Sequence, residues 1–132
     1  GDAYMAVAGL PNPWADHAPR AARMALAMLD ATARVAAETG EKLALRIGLH
    51  SGPVVAGVIG RSKFSYDLWG DTVNTASRME SHGVPGAIHC TEAAALLLQG
   101  AFQLQARGAM EIKGKGEMHT FLVLNLEGIP YG

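Results

Sequence analysis

Alternating hydrophobic and polar residues predict several short strands along the chain. In residues 43–50 apolar side chains occupy every second position, and a second apolar run spans residues 54–59, with a Ser-Gly-Pro turn between the two. Alternation of this kind is typical of strands that bury one face. We expect these two segments to pair as an antiparallel hairpin. Further strands are predicted at residues 3–8, 64–69, 87–90, 102–106 and 117–125.

Helical spacing of apolar residues predicts three helices, at residues 16–38, 71–81 and 91–99. Gly40 suits the end of the first helix, Asp71 or Thr72 can cap the second, and Thr91 can cap the third. The predicted buried stripe of the first helix is formed by Ala21, Met24, Ala25, Met28, Leu29 and Val35. Helices interspersed with hairpins predict an α+β fold, with helices packed on a largely antiparallel sheet.

The second predicted helix has a distinctive polar face. Its apolar side chains are expected to face the core; they are Val73, Ala76 and Met79. Asn74 and Arg78 are four residues apart and share the opposite side with Asp71. A carboxamide beside a guanidinium can hold an anionic ligand, since arginine offers several rigid donors to phosphate oxygens. The alternative is an amphipathic helix whose polar face is only solvated.

Composition narrows the classes of function. The chain has 132 residues, enough for one domain with its own core, and 49% of them are hydrophobic. Its 11 basic and 12 acidic residues give a net charge of −1, which argues against nucleic acid as a partner. The single cysteine, Cys90, is expected to be buried and cannot form an internal disulfide, which favours a cytoplasmic location. Membrane attachment is expected only through parts outside this chain, and the chain has no GxxxxGK[ST] loop.

Residues 66–81, YDLWGDTVNTASRMES, resemble the conserved block of class III nucleotide cyclases, the adenylyl and guanylyl cyclase family. The similarity continues in GDAYM at residues 1–5, LRIGLHSGPV at 45–54 and IKGKGE at 112–117, so it covers nearly the whole chain. This resemblance implies a ferredoxin-like βαββαβ core. It also implies that residues 1–132 are the larger, C-terminal part of a catalytic domain whose first part lies upstream.

The resemblance implies a reaction and its catalytic groups. Cyclases of this family join the ribose 3′ oxygen to the α-phosphorus of a nucleoside triphosphate, expel pyrophosphate and use two Mg²⁺ or Mn²⁺ ions. By similarity, Asn74 positions the ribose and Arg78 stabilises charge in the transition state. Asp2 matches one of the two carboxylates that hold the metal ions, and the other is expected upstream of Gly1.

The resemblance also implies how the substrate is selected. Asp67 matches the residue that faces the purine edge, where a carboxylate accepts the exocyclic amino proton of adenine, whereas guanylyl cyclases tend to have a smaller residue such as cysteine. Asp67 therefore favours ATP and a cyclic AMP product. Leu68 is expected to contact the purine through its backbone, and Lys113 matches a lysine that contacts the terminal phosphates. A lysine that also reads the base is expected before Gly1.

The matched residues also bear on assembly. In this family the site forms between two catalytic domains, one giving the metal carboxylates and the other the asparagine and arginine. The chain carries both sets, so the resemblance implies a homodimer of the bacterial adenylyl cyclase type, with a second cyclase domain as partner. Two alternatives remain, a guanylyl cyclase and a catalytically incomplete cyclase-like module that dimerises or regulates a partner.

Overall fold

The computed structural model describes residues 3–10, 13–53, 55–58 and 66–124, with the backbone alone at 55–58 and 66–69. The helices within these ranges are α1 (His17–Thr39), α2 (Asp71–Ser81) and α3 (Glu92–Leu98). The strands are β1 (Ile47–Leu49), β2 (Val55–Val58), β3 (Tyr66–Trp69), β4 (Ile88–Thr91), β5 (Gln103–Ile112) and β6 (Gly116–Leu124). The predicted α+β class is confirmed. The sequence predicts a loop at residues 126–132, and these residues lie outside the described ranges.

Four strands form one sheet in the order β1–β4–β6–β5, and β2 pairs with β3 in a separate two-stranded ladder. The β4–β6 and β5–β6 pairs are antiparallel, whereas β1 runs parallel to β4, with Ile47 opposite Ile88. The long hairpin of β5 and β6 extends beyond the segments predicted for it at residues 102–106 and 117–125. The sheet is therefore largely antiparallel, as predicted.

Two predictions about strands are wrong. The segments 43–50 and 54–59 do not form a hairpin, because β1 pairs with β4 and β2 pairs antiparallel with β3. Alternation identifies a half-buried strand but carries no information about its partner. Residues 3–8 form no strand either. Their larger side chains are exposed, Tyr4 to 76%, and none of the described strands pairs with them through ladder hydrogen bonds.

The main core lies between the sheet and the helices α1 and α3. Its buried members are Ala18, Ala22, Ala25, Leu29, Ile88, Cys90, Ala94, Ala95, Leu98 and Val123. The buried stripe of α1 is rotated from the predicted one, since Met24 and Val35 are exposed. Small alanines allow α1 to approach the sheet closely, and of its larger side chains Leu29 is buried whereas Met24 and Val35 are not. Burial of Cys90, as predicted, raises the pKa of its thiol to about 12, so this cysteine is unreactive.

Helix α2 packs directly on strands β1 and β4. Met79 is fully buried on this side of the helix, next to Thr75, which is 2% exposed. Gly48 of β1 allows the close approach, because a Cβ there would collide with the backbone of Ala76 and Glu80. The sheet therefore fixes which face of α2 points outward. No helix in the described part of the chain has the length and apolar character needed to cross a membrane.

The helix ends test the predicted caps. Gly40 ends α1 in the left-handed conformation, with φ of 74°, and Thr91 caps α3 by accepting a hydrogen bond from the amide of Ala94 at 3.3 Å. Both predictions are confirmed. Neither Asp71 nor Thr72 caps α2 with its side chain: the N-cap is a glycine, and the Thr72 hydroxyl donates to the Pro53 carbonyl instead.

Candidate functional site

The outward face of α2 carries the polar residues singled out from the sequence. Asp71 and Asn74 are exposed and Arg78 is half-buried, and their spacing of three and four residues places them on one side of the helix. Arg78 has no ion pair with any residue in the described ranges. Its guanidinium is therefore available to an anionic ligand beside the carboxamide of Asn74.

Contacts near its C-terminus hold α2 in place. His89, buried in β4, donates a hydrogen bond from Nδ1 to the carbonyl of Met79 at 2.8 Å. Arg46 forms an ion pair with Glu80, with 2.5 Å between Nε and Oε2. Arg107 donates to the carbonyl of His82 at 2.9 Å. These contacts surround the end of the helix that carries Arg78 and fix its orientation.

The turn between β5 and β6 meets the other end of α2. The amide of Lys115 donates to the carbonyl of Ile112 at 2.9 Å, and Gly114 takes a φ of +80°, so the turn is tight. Lys113 lies exposed at its tip, and the Lys115 ammonium pairs with the carboxylate of Asp71. The fold therefore joins the turn that carries Lys113 to the polar face of α2.

This ion pair was not predicted from the sequence. Asp71 and Lys115 are 44 residues apart, and no periodicity or motif links them. From the sequence, Lys115 either assists Lys113 or is solvated. In the structure the Lys115 side chain is only 24% exposed and forms an ion pair with Asp71. Lys113, in contrast, has no ion pair with a described residue.

Strand β3 leads directly into α2, and it contains both residues proposed to contact the base. Asp67 lies opposite Gly57 of β2 and Leu68 lies opposite Ala56, and Gly70 then connects β3 to α2. Only the backbone of β3 is described, so the roles of the Asp67 side chain and of Leu68 remain predictions. The chain path nevertheless places both residues a few positions before the helix of Asn74.

A metal site cannot be built from the side chains that the structure describes. Asp2 falls outside them, and no group of three or more histidine, cysteine, aspartate or glutamate side chains lies together in the described ranges. A divalent ion needs several such oxygen donors. Asp2 as a ligand of Mg²⁺ or Mn²⁺ therefore remains a prediction.

Sequence reasoning missed His50, which lies at the end of β1 near the same ion pair. Its Nδ1 is 2.7 Å from the hydroxyl of Thr91. Burial lowers the pKa of His50, the nearby Lys115 charge lowers it further, and Asp71 opposes both effects. The lowered pKa favours the neutral form of the His50 imidazole.

A cavity of about 290 Å³ lies beside residues 6–10, α1, β1 and the inner side of α2. Here His17 and Ser51 are joined by a hydrogen bond of 2.6 Å between Nε2 and Oγ. From α2, Thr72 and Ala76 line this cavity, whereas Asn74 and Arg78 do not. The cavity is therefore separate from the polar face of α2.

Taken together, the described groups suit a phosphorylated ligand. Arg78 and Lys113 offer cations that are not paired with described residues, and Asn74 offers both a hydrogen-bond donor and an acceptor. The start of α2 contributes the positive end of a helix dipole. Such an arrangement can neutralise and orient phosphate oxygens along one face of a helix.

The chain is similar in sequence to known proteins. The sequence profile of the adenylate and guanylate cyclase catalytic domain matches residues 1–125. The chain is 50% identical over 129 residues to guanylate cyclase soluble subunit beta-2 of Rattus norvegicus, covering 96% of this chain and 19% of that protein. It therefore spans about a fifth of that relative.

Two solved structures share the fold. The guanylate cyclase domain of RhGC from Catenaria anguillulae, in complex with GTP, matches with a TM-score of 0.81 and 44% identity, over 89% of this chain and 65% of that one. The catalytic core of a rhodopsin-guanylyl cyclase with converted specificity, in complex with ATPalphaS, matches with a TM-score of 0.80 and 45% identity, over 89% of this chain and 64% of that one. The chain thus belongs to the adenylate and guanylate cyclase catalytic domain family, the class III nucleotide cyclases.

Proposed function

We propose that this domain is an adenylyl cyclase that converts ATP to 3′,5′-cyclic AMP and pyrophosphate. In the reaction the ribose 3′ oxygen loses its proton and bonds to the α-phosphorus, and the bond from that phosphorus to the β-phosphate bridging oxygen breaks. The observation that carries the proposal is the polar face of α2, which follows β3 and meets the turn of Lys113 through Asp71. It presents Asn74 and an Arg78 that has no ion pair with a described residue.

Each of these residues has a role that its chemistry fits. Arg78 donates to the α-phosphate oxygens as negative charge builds up there, which lowers the barrier to attack. Asn74 orients the ribose through its carboxamide, so that the 3′ oxygen lies in line with the leaving pyrophosphate. Lys113 contacts the terminal phosphates from the exposed tip of its turn.

Asp67 is proposed to select adenine. A carboxylate accepts a hydrogen bond from the exocyclic amino group of adenine, whereas guanine presents a carbonyl oxygen at the corresponding position and would be repelled. Its place on β3, just before α2, supports a role beside the ribose-binding Asn74. Leu68 is proposed to contact the purine through its backbone.

A guanylyl cyclase is the second candidate, and the relatives favour it. The rat relative and the fungal structure are named as guanylate cyclases, and the latter holds GTP. The converted rhodopsin-guanylyl cyclase core holds ATPalphaS, so the fold accommodates either purine. The base-reading residue therefore decides between the candidates, and Asp67 favours ATP.

Assembly and metal dependence complete the proposal. A second copy of the domain would complete each site, because this chain carries residues matching both halves. Mg²⁺ or Mn²⁺, with Asp2 as one ligand, would supply neutralisation of the phosphate charge. Chelation of divalent ions is then expected to abolish turnover, and addition of excess Mn²⁺ is expected to restore it.

Substrate competition tests the proposed specificity. The complete protein that contains this chain is supplied with equal ATP and GTP, and both cyclic nucleotides are quantified. We expect kcat/KM for ATP to exceed that for GTP by at least about tenfold, and Asp67→Cys to reduce this ratio by about 10- to 100-fold, as for loss of a charged hydrogen bond. Preference of the wild type for GTP would establish the guanylyl candidate, and absence of both products would favour the regulatory module.

A further inference from the structure

We propose that Lys115 is a positioning residue for the nucleotide site. Its ion pair with Asp71 fixes the β5–β6 turn to the first turn of α2, and this holds Lys113 beside the helix face that carries Asn74. The inference rests on the proposed function, because it concerns how the phosphate-binding lysine is aligned with the rest of that site.

The two lysines of the turn have different surroundings. Lys113 is exposed at the tip, whereas only 24% of the Lys115 side chain is exposed and its ammonium contacts Asp71. Ile112, on the other side of the tip, is 1% exposed and accepts a hydrogen bond from the Lys115 amide. The turn is therefore held at both of its ends, by a buried side chain and by an ion pair, with Lys113 between them.

The ion pair lies at the start of α2, and this explains why Lys115 is held there only when Asp71 is present. Asp71 is the first residue of α2, where the helix dipole favours a carboxylate and disfavours an ammonium group. Without Asp71, Lys115 would be repelled from this end of the helix. With Asp71 present, the two charges cancel, and Lys113 remains the available cation of the turn.

The pair is suited to alignment more than to stability. The Asp71 side chain is 79% exposed, and exposed ion pairs stabilise folded proteins little. It nevertheless connects two elements that are distant in the sequence, and no other ion pair among the described residues joins the turn to α2.

A double-mutant cycle in the complete protein tests this inference. Asp71→Asn, Lys115→Gln and the double variant are compared by KM for ATP, by kcat and by hydrogen exchange of the amides at 113–116. The control is Asp30→Asn, which removes a comparable exposed ion pair with Arg34 on α1, remote in sequence from the site residues. Because the ion pair acts through Lys113 and exposed pairs are weak, each single variant is expected to raise KM for ATP by about two- to fivefold with kcat within about twofold.

The outcomes distinguish an ion pair that positions Lys113 from two surface charges that act independently. The inference is supported if the double variant has the same KM for ATP as the single variants and if the amides at 113–116 exchange faster in all three. The control variant should match the wild type in both measurements. Additive effects of the two substitutions, or unchanged KM and exchange, would overturn the inference. If the wild type formed no cyclic nucleotide, the proposed function would fail. Hydrogen exchange of the amides at 113–116 alone would then test whether the ion pair holds the turn.

Discussion

At the scale of single residues, the two lysines of one turn illustrate what a motif can and cannot predict. The sequence KGKG identifies a basic turn and, through family resemblance, Lys113 as the phosphate ligand. It contains no information about which lysine is already neutralised, because the partner, Asp71, comes from a helix 44 residues away. In the structure Lys113 is exposed, whereas Lys115 is mostly buried and forms an ion pair with Asp71.

Substitution of Lys113 by alanine is predicted to weaken substrate binding. A charge-assisted hydrogen bond to a phosphate contributes about 1.5–3 kcal/mol, so KM for ATP should increase by roughly 10- to 100-fold. Steady-state kinetics of the complete protein measure this change. Lys42→Ala, at another exposed lysine outside the site, is the matched control. An unchanged KM in the Lys113 variant would remove that residue from the site.

A second residue-scale prediction concerns the buried histidine beneath α2. Burial lowers the pKa of His89, and its Nε2 has no hydrogen-bond partner among the described atoms, so the neutral form is favoured in the folded protein. Its Nδ1 proton is donated to Met79. At pH below the ordinary value of about 6.5 the unfolded chain binds a proton that the folded chain resists, so stability falls as pH falls.

Urea unfolding at pH 7.5 and pH 5.5 measures this dependence. One such histidine contributes at most about 1.4 kcal/mol per pH unit to the slope of the unfolding free energy. His89→Asn should be less stable at both values but should show a shallower slope. His119→Asn, at an exposed position, is the control for removal of a histidine from the chain. A His89 variant with the slope of the wild type would show that this group does not titrate on unfolding.

At the scale of elements, local patterns predicted the helices better than the strand partners. The bounds of α1 and α2 follow from the 3.6-residue period and from glycines at their ends, which are local features. The partner of β1 depends on β4, about 40 residues later, and the predicted hairpin with residues 54–59 was therefore wrong. The polar face of α2 was predictable because it needs only its own spacing.

Gly48 shows how packing of an element supports the site. A Cβ at this position would collide with the backbone of α2 and displace the helix that carries Arg78. Gly48→Ala is therefore predicted to lower the free energy of unfolding by about 1–3 kcal/mol, the range for overpacking a core. Chemical denaturation of the purified protein measures this change.

Gly52→Ala is the matched control for this experiment. There the new methyl would lie 2.9 Å from the hydroxyl of Thr72, a longer distance and a contact with a side chain rather than with helix backbone, so a smaller loss is expected. Equal losses of stability at the two glycines would contradict the view that α2 needs Gly48 for its close packing on β1.

At the scale of the whole molecule, the chain matches residues expected on both sides of a cyclase interface. If each site combines Asp2 of one subunit with Asn74 and Arg78 of the other, two inactive variants should complement each other. Homodimers of Asp2→Ala and of Arg78→Ala are each expected to lose nearly all turnover. In an equal mixture about half of the dimers are mixed, and each has one intact site, which predicts about a quarter of wild-type activity.

Cyclic nucleotide formation after mixing, with analytical ultracentrifugation to confirm dimers, measures this complementation. Each variant can also be mixed with Asn74→Ala. The mixture with Asp2→Ala should recover activity, whereas the mixture with Arg78→Ala should not, because one subunit supplies both Asn74 and Arg78 from the same helix. No recovery in the first mixture, although mixed dimers form, would contradict a site shared between subunits.

The central claim is that the polar face of α2 stabilises the transition state of nucleotide cyclisation. Its most direct test is kcat for cyclic AMP formation by the complete protein with Arg78 intact and with Arg78→Ala, compared with Arg34→Ala on the exposed face of α1. Loss of a group that stabilises transition-state charge predicts a fall in kcat of about 100- to 1,000-fold with little change in ATP affinity. Turnover of the Arg78 variant at the wild-type rate would contradict the claim.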